Sequence, residues 1–257
     1  MRLAEDFRSE ARNALSGKWK IAVLVGLVAI LLGAVEGMGP ELKVNIDLSS
    51  VNASLTFMGQ TIFSIRDGIN SSIGALLIGS FTSIIILALG AVYLVLGSVV
   101  AIGYAKFNLN LVDCEDGSFE DLFAYFAYWQ RAVAARLLRS IYVLLWSLLF
   151  IIPGVMASYS YAMTEYILAD HPELSASEAI SRSKQMMEGN RWRLFCLQFS
   201  FIGWSILCSF TFGIGNLWLT PYKKAATAVF YREVSGTEYG AYQNEWIDYT
   251  SQMHEEI

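Results

Sequence analysis

Chemistry needs side chains that hold a proton, a metal or a charge, and here few of them stand in a catalytic order. The chain has two histidines, His171 and His254, and three cysteines, Cys114, Cys196 and Cys208, all far apart in sequence. There is no His-Glu-x-x-His, no Cys-x-x-Cys, no phosphate-cradling Gly-x-x-x-x-Gly-Lys-Ser/Thr and no Gly-x-Ser-x-Gly. Catalytic residues, a metal site and a cofactor are therefore not expected, and the cysteines read as packing thiols. What stands out is charge in apolar company: Glu165, Lys223 and Lys224. An ionisable group in such surroundings is costly, and it marks either an internal polar site or a side chain reaching back to water.

The surroundings are membrane-sized. Of 257 residues, 55% are hydrophobic and 16% charged, against roughly 25% charged in soluble domains. No charge occurs in residues 21–35, 68–105, 140–164 or 194–222. About 20 apolar residues span a bilayer core, and a helix bonds its own backbone there. The expected fold is thus all-α, a polytopic transmembrane bundle. A net charge of −5 repels phosphate backbones, so no nucleic-acid partner is expected. The lipid bilayer is the first partner, with other membrane proteins a further option.

Six spans are read at 19–35, 74–104, 132–152, 154–169, 192–212 and 214–231. The first follows Arg2, Arg8, Arg12, Lys18 and Lys20 and reads as a signal anchor rather than a cleaved peptide. Pro153-Gly154 and Gly213-Ile214-Gly215 read as tight turns of helical hairpins. A single Pro-kinked crossing over 132–169 would give five spans instead. Charge in the loops favours the hairpin: 36–72 holds Lys43 and Arg66 against four acids, whereas 106–139 and 170–193 carry four basic residues each. Basic short loops stay in the cytoplasm, which puts 36–72 outside and both termini, with the tail 232–257, inside.

Several local signals follow. Ser118-Phe119-Glu120-Asp121 and Ser175-Ala176-Ser177-Glu178 are helix starts with reciprocal caps. The first leads into an aromatic face of Phe119, Leu122, Phe123, Phe126 and Trp129, suited equally to a headgroup boundary or to packing. The second leads into an amphipathic cytoplasmic helix with Ala176, Ala179, Ile180 and Met187 on its apolar side, ended by Gly189-Asn190. In the external loop, Val44-Asn45-Ile46-Asp47-Leu48, Ser54-Leu55-Thr56-Phe57 and Thr61-Ile62-Phe63 alternate enough for a small hairpin around Met58-Gly59-Gln60. The sequons at Asn52 and Asn70 carry no functional weight.

Counted from the two turns, Glu165 and Lys224 differ in depth by about one helical turn, so they are able to pair. Snorkelling to the interface, or a shorter last span, is the more ordinary reading. Tyr159, Tyr161, Tyr166, Tyr222 and Tyr231 either line a cleft or, more ordinarily, form an interface belt. Arg136 and Arg139, and likewise Arg191 and Arg193, are expected at lipid phosphates.

The back half supports a resemblance. Ile151-Ile152-Pro153-Gly154, Ser158 to Met163, Tyr166 to Asp170, Glu173 to Ala176 and Met187-Glu188-Gly189 are followed in order by Leu197 to Trp204, Gly213-Ile214-Gly215, Pro221-Tyr222 and Phe230-Tyr231. Over roughly 106–231 this resembles the bacterial integral membrane family called domain of unknown function 975. The resemblance implies a cell-membrane protein of a bacterium with no established activity and no catalytic residues to transfer. More distantly it is similar to the membrane region of some glycerophosphodiester phosphodiesterases, whose catalytic domain has no counterpart in these residues. The expected function is non-enzymatic, through lipid or protein partners. The alternative is a small permease or channel with a path near Glu165, Lys223 and Lys224, helped by Gln198 and Asn216.

Overall fold

A computed structural model describes the backbone of residues 3–35, 41–47, 50–57, 60–68, 73–211 and 213–255, and side chains within 3–35, 84, 88–211 and 213–236. The sequon at Asn70, the Met58-Gly59 turn and Phe212 lie outside the described residues.

The chain opens with α1 (Ala4–Leu15) and α2 (Trp19–Leu31), bent by 103° at a turn where Gly17 takes φ +77. Phe7, Ala11 and Leu15 recur at helical spacing and bury one face of α1. That face packs on the last helix, with Phe7 edge-on to Phe230 at 5.4 Å between centroids.

The segment between α2 and the next helix departs from an all-helical chain. β1 (Glu41–Asp47), β2 (Ser50–Phe57) and β3 (Gln60–Gly68) form an antiparallel meander in the order β1-β2-β3, with an irregularity between Leu55 and Thr56. The expected hairpin is one half of this sheet. The alternation at Val44–Asp47 lies in β1, which begins earlier, at Glu41, because Glu41-Leu42-Lys43 continues the same period of two.

The long apolar tract is one helix, α3 (Ile73–Val112), 40 residues long. Its glycines differ in what they touch. A Cβ on Gly103 would lie 2.6 Å from the Asp121 carbonyl oxygen, whereas one on Gly90 would meet nothing within 4 Å. Gly103 therefore admits the segment after Ser118, which forms two 3-10 turns, Phe119–Phe123 and Phe126–Tyr128, instead of the expected α-helix. The two turns aim Leu122 fully inward and leave Phe119, Phe123, Phe126 and Trp129 outside.

Next come α4 (Trp129–Leu149), α5 (Ile151–Ser160), α6 (Thr164–Asp170), α7 (Ala176–Met186), α8 (Arg191–Phe199), α9 (Ile202–Phe210) and α10 (Asn216–Glu255). Helix α7 starts at the expected cap, where Ser175 Oγ accepts from Glu178 N–H. Bonds from the Ser175 hydroxyl and amide hold the Glu178 carboxyl below its usual range. Ala176, Ala179, Ile180 and Met187 are buried as the stripe requires.

Two helices expected to be continuous are broken. The 154–169 stretch divides at Tyr161–Met163, where buried Ser183 of α7 donates to the Ser160 carbonyl at 2.9 Å and accepts from the Met163 N–H at 3.2 Å. One hydroxyl thus satisfies both sides of the break, a tertiary cap with no local signature. The 192–212 stretch is interrupted at Ser200–Phe201. Beyond residue 231 the chain continues as helix to Glu255.

Three stretches among the described residues are long and apolar enough to cross a membrane: Ala88–Val112, Phe119–Leu149 and Arg191–Phe210. Together α1 and α2 pass the same test as a bent pair, which makes up to four.

Gly103→Ala is expected to cost about 2 kcal/mol, because a methyl would meet backbone that cannot yield, while Gly90→Ala leaves thermal unfolding unchanged. Equal melting of the two variants would show that the close approach is not needed. Ser183→Ala, which strands a buried N–H and a carbonyl, should lower stability by roughly 1–3 kcal/mol in the same unfolding measurement.

Candidate functional site

Two antiparallel helical hairpins build the site. In the first, α4 reverses at Phe150, whose extended backbone (φ −159, ψ 151) caps α5. Pro153 then occupies the first turn of α5, where no amide hydrogen is needed. The turn therefore lies three residues ahead of the expected Pro-Gly. Gly154 packs directly on Ser147, to whose Cα an added Cβ would come within 2.8 Å. Tyr142 and Tyr161 meet further along, tilted rings with centroids 5.9 Å apart. In the second hairpin, α9 turns through Gly213 (φ +83) into α10, with Gly215 against Cys208 and Phe201 edge-on to Tyr222 at 5.1 Å.

The two hairpins bring the charges together. Glu165 on α6 accepts from Arg139 of α4 at 3.2 Å on one oxygen and faces Lys224 of α10 at 3.6 Å on the other. The pairing of Glu165 with Lys224 is thus present, joined by an arginine that the sequence reading had placed at lipid phosphates. Lys223 points elsewhere, donating to Ser205 Oγ of α9 at 2.7 Å. Among the described residues no carboxylate forms an ion pair with it. Both lysines line a cavity of about 550 Å³ with Arg139, Glu165, Gln198 and Ser205. Asn216, at the tip of α10, is not part of its wall. Aromatic rings also line it: Phe195 lies between Tyr159 at 5.9 Å and Phe199 at 5.8 Å.

Other expected surface groups also turn inward. Arg136 donates to the Gly33 carbonyl at 3.0 Å and so caps the end of α2. Arg193 pairs with Glu233 and covers the Phe7 and Phe230 rings. The tyrosines do not form a belt. Tyr161, Tyr166 and Tyr231 are buried, and hydroxyls of Tyr166, Tyr231 and Tyr222 reach the Lys224 carbonyl, Asp170 and the Arg8 carbonyl. A phenol is able to sit inside once its hydroxyl has a partner. Below the cavity, Arg232 bridges Asp113 and Asp170, joining the end of α3 to the end of α6. Among the described residues no group of three or more His, Cys, Asp or Glu is placed to hold a metal.

Residues 148–238 match the family described as "Protein of unknown function (DUF975)", the family that the back half of the sequence resembles. The match holds Glu165, Lys223 and Lys224 and stops short of Arg139. No curated protein and no solved structure matches the chain.

Glu165→Gln leaves Arg139 and Lys224 facing each other without an anion and is expected to cost on the order of 3 kcal/mol. Removing the lysine as well, in Glu165→Gln/Lys224→Met, should recover part of that loss. A double-mutant cycle on thermal stability measures it, and unchanged stability in Glu165→Gln would remove the ion bond from the fold's supports.

Proposed function

We propose that this is a multi-pass cell-membrane protein that holds a polar or amphiphilic ligand in its charged cavity and acts through that ligand or a protein partner, without catalysis. Support for membrane residence comes from where apolar side chains remain uncovered. Leu148 and Ile151, at the tip of the first hairpin, are 84% and 81% exposed, and Phe210, at the tip of the second, is 79% exposed. Contiguous apolar surface on that scale calls for lipid or a partner. Each hairpin would then cross twice, giving six crossings with α2 and α3, the basic connections 106–139 and 170–193 inside, and both termini inside. The exposed aromatics Phe119, Phe123, Phe126 and Trp129 suit a headgroup boundary.

The observation that carries the functional reading is the cavity itself, where four charged side chains meet inside a bundle with an apolar exterior. A permease is the second reading, favoured by one feature. Both helix breaks lie beside the cavity, since Ala162 and Phe201 line it, and interrupted helices mark binding sites in transporters.

Native mass spectrometry of the protein released from detergent should show a co-purifying molecule. Ile202→Trp, which places a bulky ring in the cavity wall, is expected to reduce its occupancy about tenfold with helicity unchanged. A protein that carries nothing in either form would defeat the reading. For the permease alternative, liposome flux that Ile202→Trp blocks is the distinguishing result.

A further inference from the structure

We propose that the ligand of this cavity is an anionic phospholipid, with its phosphate at Lys223 and an acyl chain along the aromatic edge of α8; the assignment rests on the binding role of the cavity. Charge comes first. The wall carries Arg139, Lys223 and Lys224 against the single carboxylate of Glu165, an excess of two positive charges. Glu165 is already shared between Arg139 and Lys224. Lys223 is left with a neutral hydroxyl, Ser205, 2.7 Å away. Elsewhere Arg193 has Glu233, Arg232 has Asp113 and Asp170, and Arg136, which does not line this cavity, caps the Gly33 carbonyl. A half-buried ammonium without a carboxylate favours an anion brought from outside.

Shape then separates a lipid from a free anion. The cavity is lined by polar Lys223, Ser205 and Gln198 and also by Phe195 and Phe199, which flank Gln198 on α8. Trp192 extends this aromatic row, stacked on Phe195 at 5.0 Å. Trp192 and Phe199 are 70% and 60% exposed, so the apolar wall runs on into the outer surface of the bundle. A site that joins an ammonium without a carboxylate to an apolar row reaching the outer surface matches an amphiphile with its head at the charge and its tail along the row. A free phosphate would make no use of that row.

The test places the full-length protein in nanodiscs of phosphatidylcholine containing a minor fraction of phosphatidylglycerol, followed by native mass spectrometry of retained lipid. Phosphatidylglycerol should be enriched about tenfold over phosphatidylcholine, and Lys223→Gln should abolish that enrichment while Lys223→Arg keeps it. Phe199→Ser, remote from the charge, should weaken retention of both lipids, and it keeps the test informative if Lys223→Gln fails to fold. Three results overturn the assignment: equal retention of the two lipids, full enrichment in Lys223→Gln, or thermal stabilisation by inorganic phosphate alone that matches the lipid. If Ile202→Trp releases a ligand that is neither anionic nor sensitive to Lys223→Gln, the cavity stands and the lipid assignment falls. If nothing is held at all, both fall.

Discussion

A carboxylate withdrawn from water has to be neutralised where it sits, and the packing of three helices, α4, α6 and α10, around Glu165 follows from that constraint. Its partners come from different hairpins: Arg139 from α4, beside Glu165's own α6, and Lys224 from α10. One side chain thus ties the first hairpin to the second. Tyr166, next in sequence, adds a neutral bond between the same elements by donating to the Lys224 carbonyl. Removing the anion would weaken the contact between hairpins as well as the charge balance within the cavity.

The hairpins are able to bring those charges together because their turns are tight. Gly154 lies on Ser147 and Gly215 on Cys208 with no room for a methyl, so each pair of helices closes at its tip and stays in register toward the site. At the other end, Arg232 bridges Asp113 and Asp170 and Arg193 meets Glu233. The cavity is left between closed tips and ionic clasps. Along its length both helices are interrupted, with the gap at Tyr161–Met163 held by Ser183. A third element, α7, is therefore needed for the cavity wall, although no residue of α7 lines it.

Much of this was legible from residue spacing. Absence of charge located the long apolar helices, and counting from the turns placed Glu165 within about one helical turn of Lys224, although snorkelling is the more ordinary reading of such charges. The same counting would have found Arg139, which lies on the other arm of the first hairpin at a similar distance from Phe150. It was assigned to lipid instead, since an arginine near a helix start is ordinarily a topology signal. Arg193 and the tyrosines were misplaced for the related reason that amphipathic side chains favour an interface unless a specific partner holds them inside, and partners such as Glu233 or Asp170 are distant in sequence. The break before α6 could not be read, because the hydroxyl that stabilises it comes from residue 183 and local composition shows neither proline nor glycine there.

Adjacent lysines on one helix point roughly 100° apart, and that angle gives Lys223 and Lys224 different roles. Lys224 turns toward Glu165 and completes an internal ion bond, while Lys223 turns toward Ser205 and the open part of the cavity. Were both charges paired inside, the cavity would be a structural core with no reason to hold an anion. Were neither paired, two cations side by side in a half-buried wall would repel each other and disfavour the closed bundle. The division of labour, one lysine spent on the fold and one left with a hydroxyl, lets a single short sequence both assemble the hairpins and leave a positive charge available within them.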